Sequence, residues 1–185
     1  MQMKYNHTVY AVLGALTTEC RTGYAIKQLI DQSLSHFWKI SYGQIYPALK
    51  QLIKDGLANV EQVLEEGKPA RNEYKLTSKG KQVLKKWLEE PVEQLPVEKN
   101  ELLFKIFFAR HLSEGDTIRH LRHYKEKLLL QYNTYQEIEN MLQQHYERDN
   151  DLIYWLATLD YGKRVTKAAI EWTEVTMETF LNQED

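Results

Sequence analysis

The residues best suited to a chemical task lie together in one segment, 41–54, which reads SYGQIYPALKQLIK. Apolar side chains recur in it at helical spacing, which predicts a helix with one buried face. These are Ile45, Ala48, Leu49 and Leu52. The opposite face carries polar and basic residues and no carboxylate, with Gln44, Pro47, Lys50, Gln51 and Lys54. Such a face is typical of helices that enter the major groove of DNA. An ordinary surface helix is the alternative on this segment alone.

The ends of this helix are marked by residues with strong capping preferences. Ser41 is a favoured N-cap residue, because its hydroxyl can accept a hydrogen bond from a backbone N–H of the first turn. Gly56 follows Asp55 and predicts the C-terminal end, since glycine enters the left-handed conformation without steric cost. We expect Pro47 near the first turn with at most a slight kink, because proline deeper in a helix removes a backbone hydrogen bond.

The composition describes a soluble globular protein, with 43% hydrophobic and 27% charged residues among 185. No apolar run approaches the roughly 18 residues that span a bilayer, and the N-terminus has no signal-peptide pattern. We therefore expect no membrane contact. The single cysteine, Cys20, cannot form an internal disulfide and favours a reducing, cytoplasmic location.

Charge is distributed unevenly along the chain. Residues 39–86 contain ten Lys or Arg and five acidic residues, whereas residues 96–185 contain eleven Lys or Arg and sixteen acidic residues. The net charge of −2 conceals this difference. A basic segment followed by an acidic one predicts that the first half contacts a polyanion and that the second half has another task.

The segment 41–54 is predicted to belong to a helix-turn-helix domain with a β-hairpin wing. The expected elements are helices at 8–16, 23–34 and 41–54, strands at 57–64 and 71–76, and a fourth helix capped by Thr77. Gly67 and Pro69 mark the tip of the hairpin. Lys68 and Arg71 lie near this tip, where ordinary solvated loop charges are the alternative reading.

Residues beyond a proline-containing linker at 91–97 are predicted to be helical throughout. The apolar segment 98–112 is expected to be a buried helix, and Ser113 is expected to begin a long helix with apolar residues about 3.5 positions apart. A last long helix has an apolar stripe of Leu152, Leu156, Leu159, Val165, Ala169, Trp172 and Phe180. One chain has too few partners to bury both stripes, so we predict a homodimer through the C-terminal helices.

Several short motifs resemble those of the PadR family of transcriptional regulators, in particular its larger subgroup typified by phenolic-acid-responsive repressors. The matching segments are Gly23-Tyr24, Gln44-Ile45-Tyr46-Pro47 with Leu49 and Leu52, Asp55-Gly56-Leu57, Tyr74 to Gly80, and the run LLFKIFFARHLS. The resemblance implies a mainly α fold with a small β-hairpin wing. It divides the chain into a winged helix-turn-helix domain (1–90), a linker (91–97) and a helical dimerisation and ligand-sensing domain (98–185).

The same resemblance implies a dimer that binds a palindromic operator in double-stranded DNA, usually to repress, and that leaves it on a small-molecule signal. The third helix would enter the major groove and the wing would approach the backbone. The implied DNA-binding residues are Ser41, Tyr42, Gln44, Tyr46, Lys50 and Lys54 on the helix, with Lys68 and Arg71 on the wing. In relatives the inducer pocket lies between the winged domain and the C-terminal helices.

Aromatic residues of the second half suggest what an inducer would be. Phe104, Phe108, Tyr154, Trp155 and Tyr161 lie on helices that are expected to meet near the linker, with Lys105 inside the phenylalanine-rich run. A cation among aromatic rings suits a flat ligand with a carboxylate. Ordinary core packing is the alternative for these aromatic residues.

Other classes of function have weaker support in the sequence. His120 and His123 have a spacing that can hold a metal, but no carboxylate joins them at ligand spacing and Arg119 and Arg122 flank them. No phosphate-binding loop or nucleophile–histidine pattern is present, so we expect no enzyme, no metal and no cofactor. A winged-helix adaptor that binds protein instead of DNA stays open as the alternative.

Overall fold

A computed structural model describes residues 4–34, 38–64 and 70–182 and divides the chain into two units, 1–95 and 96–185. Helices account for most of the described residues, and the strands form one two-stranded antiparallel sheet in the first unit. The predicted fold class, mainly α with a β-hairpin wing, is therefore confirmed. Among the described residues, no helix is long and apolar enough to cross a membrane.

The N-terminal unit contains four helices and a hairpin in its described part. They are α1 (His7–Ala15), α2 (Gly23–Leu29), α3 (Tyr42–Lys54), β1 (Ala58–Val63), β2 (Arg71–Leu76) and α4 (Ser78–Glu89). A single π-helical turn, Ile30–Leu34, extends α2. Three of these helices, α1, α2 and α4, have side-chain N-caps. The side chains of Asn6, Thr22 and Thr77 each accept a hydrogen bond from a backbone N–H of the first turn.

The core of this unit forms around the apolar face of α3. Ile45, Leu49 and Leu52 are enclosed, and α3 packs against α1, whose Val9 and Leu13 are enclosed as well. The apolar face predicted from helical spacing is thus the buried face. Burying side chains of this size stabilises a fold by roughly 1.5–3 kcal/mol each, which is enough to fix the rotation of α3 about its axis.

The hairpin follows α3 directly. Gly56 ends the helix with a φ of 69°, a left-handed conformation that glycine adopts without steric cost. The strands pair from Ala58 opposite Leu76 to Val63 opposite Arg71. The backbone N–H of Tyr74 donates to the carbonyl of Arg21 (2.7 Å), which attaches the chain before α2 to this hairpin.

Pro47 lies deeper in α3 than the sequence predicted. It is the sixth residue of a helix that begins at Tyr42, so it lies in the second turn. The N–H that proline lacks would have donated to the carbonyl of Gly43. Gly43 has no side chain to crowd the proline ring, and the helix continues to Lys54.

The C-terminal unit is a helical hairpin with one short helix before it. Its elements are α5 (Glu101–Phe107), a 3-10 turn (Ala109–His111), α6 (Glu114–His145) and α7 (Leu152–Leu181). Ser113 caps α6 as predicted, since its hydroxyl accepts from the N–H of Asp116 (3.1 Å). The helices α6 and α7 run antiparallel along one another, and an ion pair between Lys125 and Glu174 (2.7 Å) crosses between them.

The two long helices meet along a narrow seam. On α6 the predicted stripe is confirmed in its inner part, because Leu121 and Tyr135 are buried. On α7 the buried residues include Thr166 and Thr173. Val165, which was predicted in the buried stripe, is about half exposed. Small residues allow the close approach: a Cβ on Gly162 would lie 3.1 Å from the ring of Tyr135.

The apolar segment 98–112 is not the buried helix that was predicted. Only residues 101–107 form an α-helix, and this two-turn helix buries just Leu102. The side chains of Phe104 and Phe107 are 69% and 82% exposed within the single chain. A short helix that packs mainly on α6 buries only the face turned toward that helix.

The junction of β1 and α4 leaves no room for a side chain at Gly80. A Cβ there would overlap the carbonyl oxygen of Leu57 and lie 2.7 Å from Cδ1 of Leu76. We predict that Gly80→Ala lowers the free energy of unfolding by about 1–3 kcal/mol, since overpacking displaces backbone. Urea unfolding followed by circular dichroism measures this.

Gly14→Ala is the matched control for that experiment, because a Cβ on Gly14 has nothing within 4 Å. This variant should be neutral or more stable by up to about 1 kcal/mol, the helix preference for alanine over glycine. Equal stability of the two variants would contradict the predicted overlap.

Candidate nucleic-acid interface

The exposed face of α3 presents a continuous row of side chains one turn apart. Tyr42, Tyr46, Lys50 and Lys54 follow at steps of four residues, and all are exposed. Residues with this spacing lie on the same side of a helix. The two tyrosines are 44% and 47% exposed although the helix is anchored by its opposite face. The row therefore offers two phenol groups followed by two ammonium groups.

The two lysines of this row are available to a phosphate. Within the described residues, Lys50 and Lys54 form no ion pair with a carboxylate. The helix itself contains no acidic residue. An unpaired surface ammonium group is the kind of group that DNA-binding proteins place against the backbone.

Gln44 has a structural role that the sequence analysis did not assign. Its Oε1 accepts hydrogen bonds from the backbone N–H of Ser41 (2.9 Å) and from the Ser41 hydroxyl (3.2 Å). This is the reciprocal half of a capping box, and the pattern Ser-x-x-Gln that signals it is visible in the sequence. A base contact from Gln44 would therefore use its amide nitrogen.

Cations also lie beside the start of α3. A cleft next to the first turn is lined by Lys27, Asp31 and Lys39 together with Ser41 and Gln44. Lys27 forms an ion pair with Asp31. Lys27 was not among the predicted site residues because it precedes the basic segment in the chain, and only the packing of α2 against α3 brings it to this cleft.

The wing carries less free positive charge than its sequence indicates. Lys68 lies outside the described residues. Arg71 is the first residue of β2, and its guanidinium pairs with Glu73 (3.0 Å). Lys75 pairs with Glu61 on the opposite strand (2.9 Å). The described part of the wing therefore presents paired charges.

The predicted ligand residues Phe104, on α5, and Phe108, just after it, belong to one aromatic group. The ring of Phe108 contacts those of Phe104 (5.3 Å between centroids) and Phe107 (5.0 Å), both edge to face. Lys105 is engaged by Glu101 at 2.7 Å, and this hydrogen bond lowers the pKa of the Glu101 carboxyl. The cation thus has a carboxylate partner in this state of the protein.

The remaining ligand residues lie elsewhere on the C-terminal unit. Asn100, just before α5, donates to the Tyr124 hydroxyl (3.0 Å), whereas Trp155 packs edge to face on Tyr146 (5.6 Å). Tyr124 and Tyr146 are separated by about 33 Å along α6, at about 1.5 Å per residue. The prediction that the two aromatic groups meet near the linker is therefore wrong within one chain.

Tyr154 and Tyr161 are both largely exposed on α7, on the same unit as Trp155. In the described part of the chain, no ring contact joins them to the α5 group. Nor do the described residues contain three or more His, Cys, Asp or Glu side chains arranged to hold a metal.

Comparison with known proteins gives matches in both halves. Residues 12–86 match the transcriptional regulator PadR-like family, and residues 98–180 match the C-terminal domain of virulence activator alpha. The negative transcriptional regulator PadR of Bacillus subtilis is 34% identical over 109 residues, 58% of this chain and 59% of that protein. A probable transcriptional regulator of Mycobacterium tuberculosis is 28% identical over 45% of this chain and 44% of its own length. The chain thus matches about half the length of these curated relatives.

Solved structures extend the likeness to nearly the whole chain. The crystal structure of Bacillus subtilis PadR in complex with operator DNA has a TM-score of 0.85 and 25% identity, covering 95% of this chain and 99% of that one. Its complex with p-coumaric acid has the same fold, with a TM-score of 0.79 and 24% identity over 95% and 99% of the two chains. With a match in each half of the sequence and one fold along its length, the chain contains a PadR-like family domain at residues 12–86, followed by a domain similar to the C-terminal domain of virulence activator alpha.

Proposed function

We propose that this protein is a DNA-binding repressor that binds a palindromic operator as a homodimer. The observation that carries the proposal is the exposed row on α3, whose tyrosines and lysines lie above a buried apolar face and whose lysines have no carboxylate partner among the described residues. The row from Tyr42 to Lys54 spans about 18 Å along the helix axis, a length that fits several base pairs of a major groove. The operator complex of the Bacillus subtilis relative supports the same assignment.

The residues of the row have different tasks in this proposal. Tyr42 and Tyr46, with the amide nitrogen of Gln44, face base edges, because hydroxyl and amide groups can read the donor and acceptor pattern of the groove. Lys50 and Lys54 contact phosphates, which contributes affinity without sequence information. Ser41 fixes the start of the helix through its hydrogen bonds with Gln44. Lys68 and Arg71 approach the neighbouring backbone.

A second subunit would cover apolar surface that the C-terminal unit leaves exposed. The most exposed large apolar side chains of this unit include Phe104, Phe107, Leu130, Ile153, Tyr154 and Tyr161. Large apolar side chains exposed to water favour association, because their burial is the main favourable term in protein–protein association. A two-fold symmetric dimer would bury it and would place two copies of α3 on two half-sites of a palindrome.

The proposed inducer is a flat aromatic acid, held by Phe104, Lys105 and Phe108 of one subunit. Trp155 lies too far along the hairpin to join them in the same chain, so in this proposal the second subunit supplies it together with Tyr154 and Tyr161. A carboxylate ligand would compete with Glu101 for Lys105. Release from DNA requires that the ligand bind the DNA-free state more tightly than the DNA-bound one.

A lysine variant separates phosphate contact from base reading. Lys50→Ala should weaken binding to all DNA about equally and lower the slope of log K against log salt by about one, as the loss of one phosphate contact does. Lys127→Ala is the control, because Lys127 is an exposed lysine of α6. The measurement is fluorescence anisotropy at several salt concentrations with operator and random duplexes. An unchanged salt slope for Lys50→Ala would contradict the groove assignment, and wild-type protein that binds no DNA would favour the protein-binding adaptor.

Sedimentation tests the dimer. The full-length protein should sediment as a dimer at micromolar concentration, and Phe107→Glu should shift it toward monomer, because a charge buried in an apolar interface costs several kcal/mol. Leu64→Glu is the matched control, since Leu64 is similarly exposed but lies at the end of β1 in the other unit. Wild-type protein that sediments as a monomer would overturn the dimer.

Titration of aromatic acids tests the proposed inducer. Hydroxycinnamic or benzoic acids, added to the wild-type protein–operator complex, should release the DNA, and Lys105→Ala should raise the concentration required by about tenfold, as the loss of a charge-assisted hydrogen bond does. Lys99→Ala should respond like wild type, because Lys99 is exposed just before α5. An intact complex at millimolar acid would remove the phenolic-acid assignment and leave DNA binding untouched.

A further inference from the structure

One face of α2 lies directly against the two tyrosines of the α3 row. The ring of Tyr46 is so close to Gly23 that a Cβ on this glycine would lie 2.8 Å from Cε1 and 3.1 Å from the hydroxyl. One turn further along α2, the Lys27 ammonium lies 5.3 Å from the centroid of the Tyr42 ring. Gly23 and Lys27 are four residues apart on α2, and Tyr46 and Tyr42 are four residues apart on α3. Each of the two α2 residues therefore contacts one of the two tyrosines.

The Lys27 contact is itself held in place. Its side chain is only 13% exposed, and its ammonium pairs with Asp31 one turn later on the same chain segment. A cation positioned over a tyrosine ring attracts it electrostatically. Tyr42 thus has a fixed neighbour on its α2 side although nearly half of it is open to solvent.

Glycine at position 23 is not required by the backbone. Gly23 begins α2 behind the N-cap Thr22, and the only positive φ among the described residues belongs to Gly56. Alanine would therefore fit the local conformation and would favour the helix. What glycine provides is space for the Tyr46 ring, which could not keep its place beside a Cβ.

We propose that Gly23 is a specificity-determining residue that acts by positioning: the absence of its side chain sets the direction in which Tyr46 leaves α3, and so the base pair that the phenol reads. Lys27 positions Tyr42 through the contact of its ammonium group with the tyrosine ring. The inference rests on the proposed DNA-binding function and extends it to a helix whose named residues need not touch DNA.

The effect on recognition follows from geometry. A Cβ at position 23 pushes the phenol ring away from α2, and the hydroxyl at the end of the ring moves furthest. Hydrogen bonds to base edges weaken steeply with changes in distance and angle. Contacts to phosphates from Lys50 and Lys54 depend on the backbone of α3, which stays anchored by its buried face. Selectivity should change while general DNA affinity does not.

The test compares Gly23→Ala with Gly14→Ala in the full-length protein. Both substitutions add one methyl group to a helix of the same unit, but a Cβ on Gly14 has nothing within 4 Å. In the DNA-free proteins labelled with carbon-13 tyrosine, the ring signals of Tyr46, assigned with Tyr46→Phe, should shift in Gly23→Ala and stay in place in Gly14→Ala. This NMR measurement does not depend on DNA binding.

The second measurement is binding to the best operator and to its single-base variants. Gly23→Ala should change the affinity ratio by about fivefold or more at one or two base pairs of the half-site, the scale of a lost base contact, with binding to random DNA unchanged. In a Tyr46→Ala background, Gly23→Ala should have no further effect, which a merely structural role of Gly23 would not produce.

The possible outcomes distinguish a failure of the positioning role from a failure of the proposed DNA-binding function. Unmoved Tyr46 signals, or unchanged base preference despite moved signals, would overturn the positioning role and leave DNA binding intact. A Gly23→Ala effect that persists without the Tyr46 ring would also overturn it. Wild-type protein that prefers no DNA sequence would overturn the proposed function, and the specificity role of Gly23 with it.

Discussion

The burial of one face of α3 is the constraint on which the N-terminal unit depends. Ile45, Leu49 and Leu52 are enclosed by α1 and its neighbours, and any rotation of α3 would expose them to water. The opposite row is therefore held outward by packing rather than by its own contacts. Tyr42 and Tyr46 can stay exposed at little cost because the free energy that holds the helix comes from the other side.

The C-terminal unit buries its apolar side chains only in part within one chain. Small residues on α7, such as Gly162 and Thr166, let α6 approach closely, and the seam buries Leu121 and Tyr135. A narrow seam covers only one stripe of each helix. The aromatic side chains of α5 and the outer face of α7 are left to solvent, which is the physical reason to expect a second subunit. The first unit buries the apolar face of α3 in its own core, whereas the second leaves large apolar side chains exposed within one chain.

Sequence signals predicted what is local and failed where helices must be placed against one another. The ends of α3 were predicted from its flanking residues, Ser41 as the N-cap and Gly56 as the residue that ends the helix. The helical spacing of its apolar residues predicted which face is buried. The burial of 98–112 within one chain was mispredicted because hydrophobicity does not reveal how many neighbours a short helix has in its own subunit. The aromatic residues predicted to bind a ligand were grouped because the sequence does not show that several turns of α6 separate Trp155 from the α5 rings. The contact of Gly23 with Tyr46 has no signature at all, since it arises from the crossing of two helices.

Charge pairing refines which residues carry affinity for a polyanion. An arginine or lysine that already contacts a carboxylate adds little to the local field, and exchanging that partner for a phosphate gains only the difference between two ion pairs. Arg71 and Lys75 of the wing are paired in this way, whereas Lys50 and Lys54 are not, within the part of the chain that the structure describes. A count of basic residues treats all four alike. Their contacts divide them: of these four, only the two lysines on α3 have no carboxylate partner among the described residues, and α3 is also the helix that exposes Tyr42 and Tyr46.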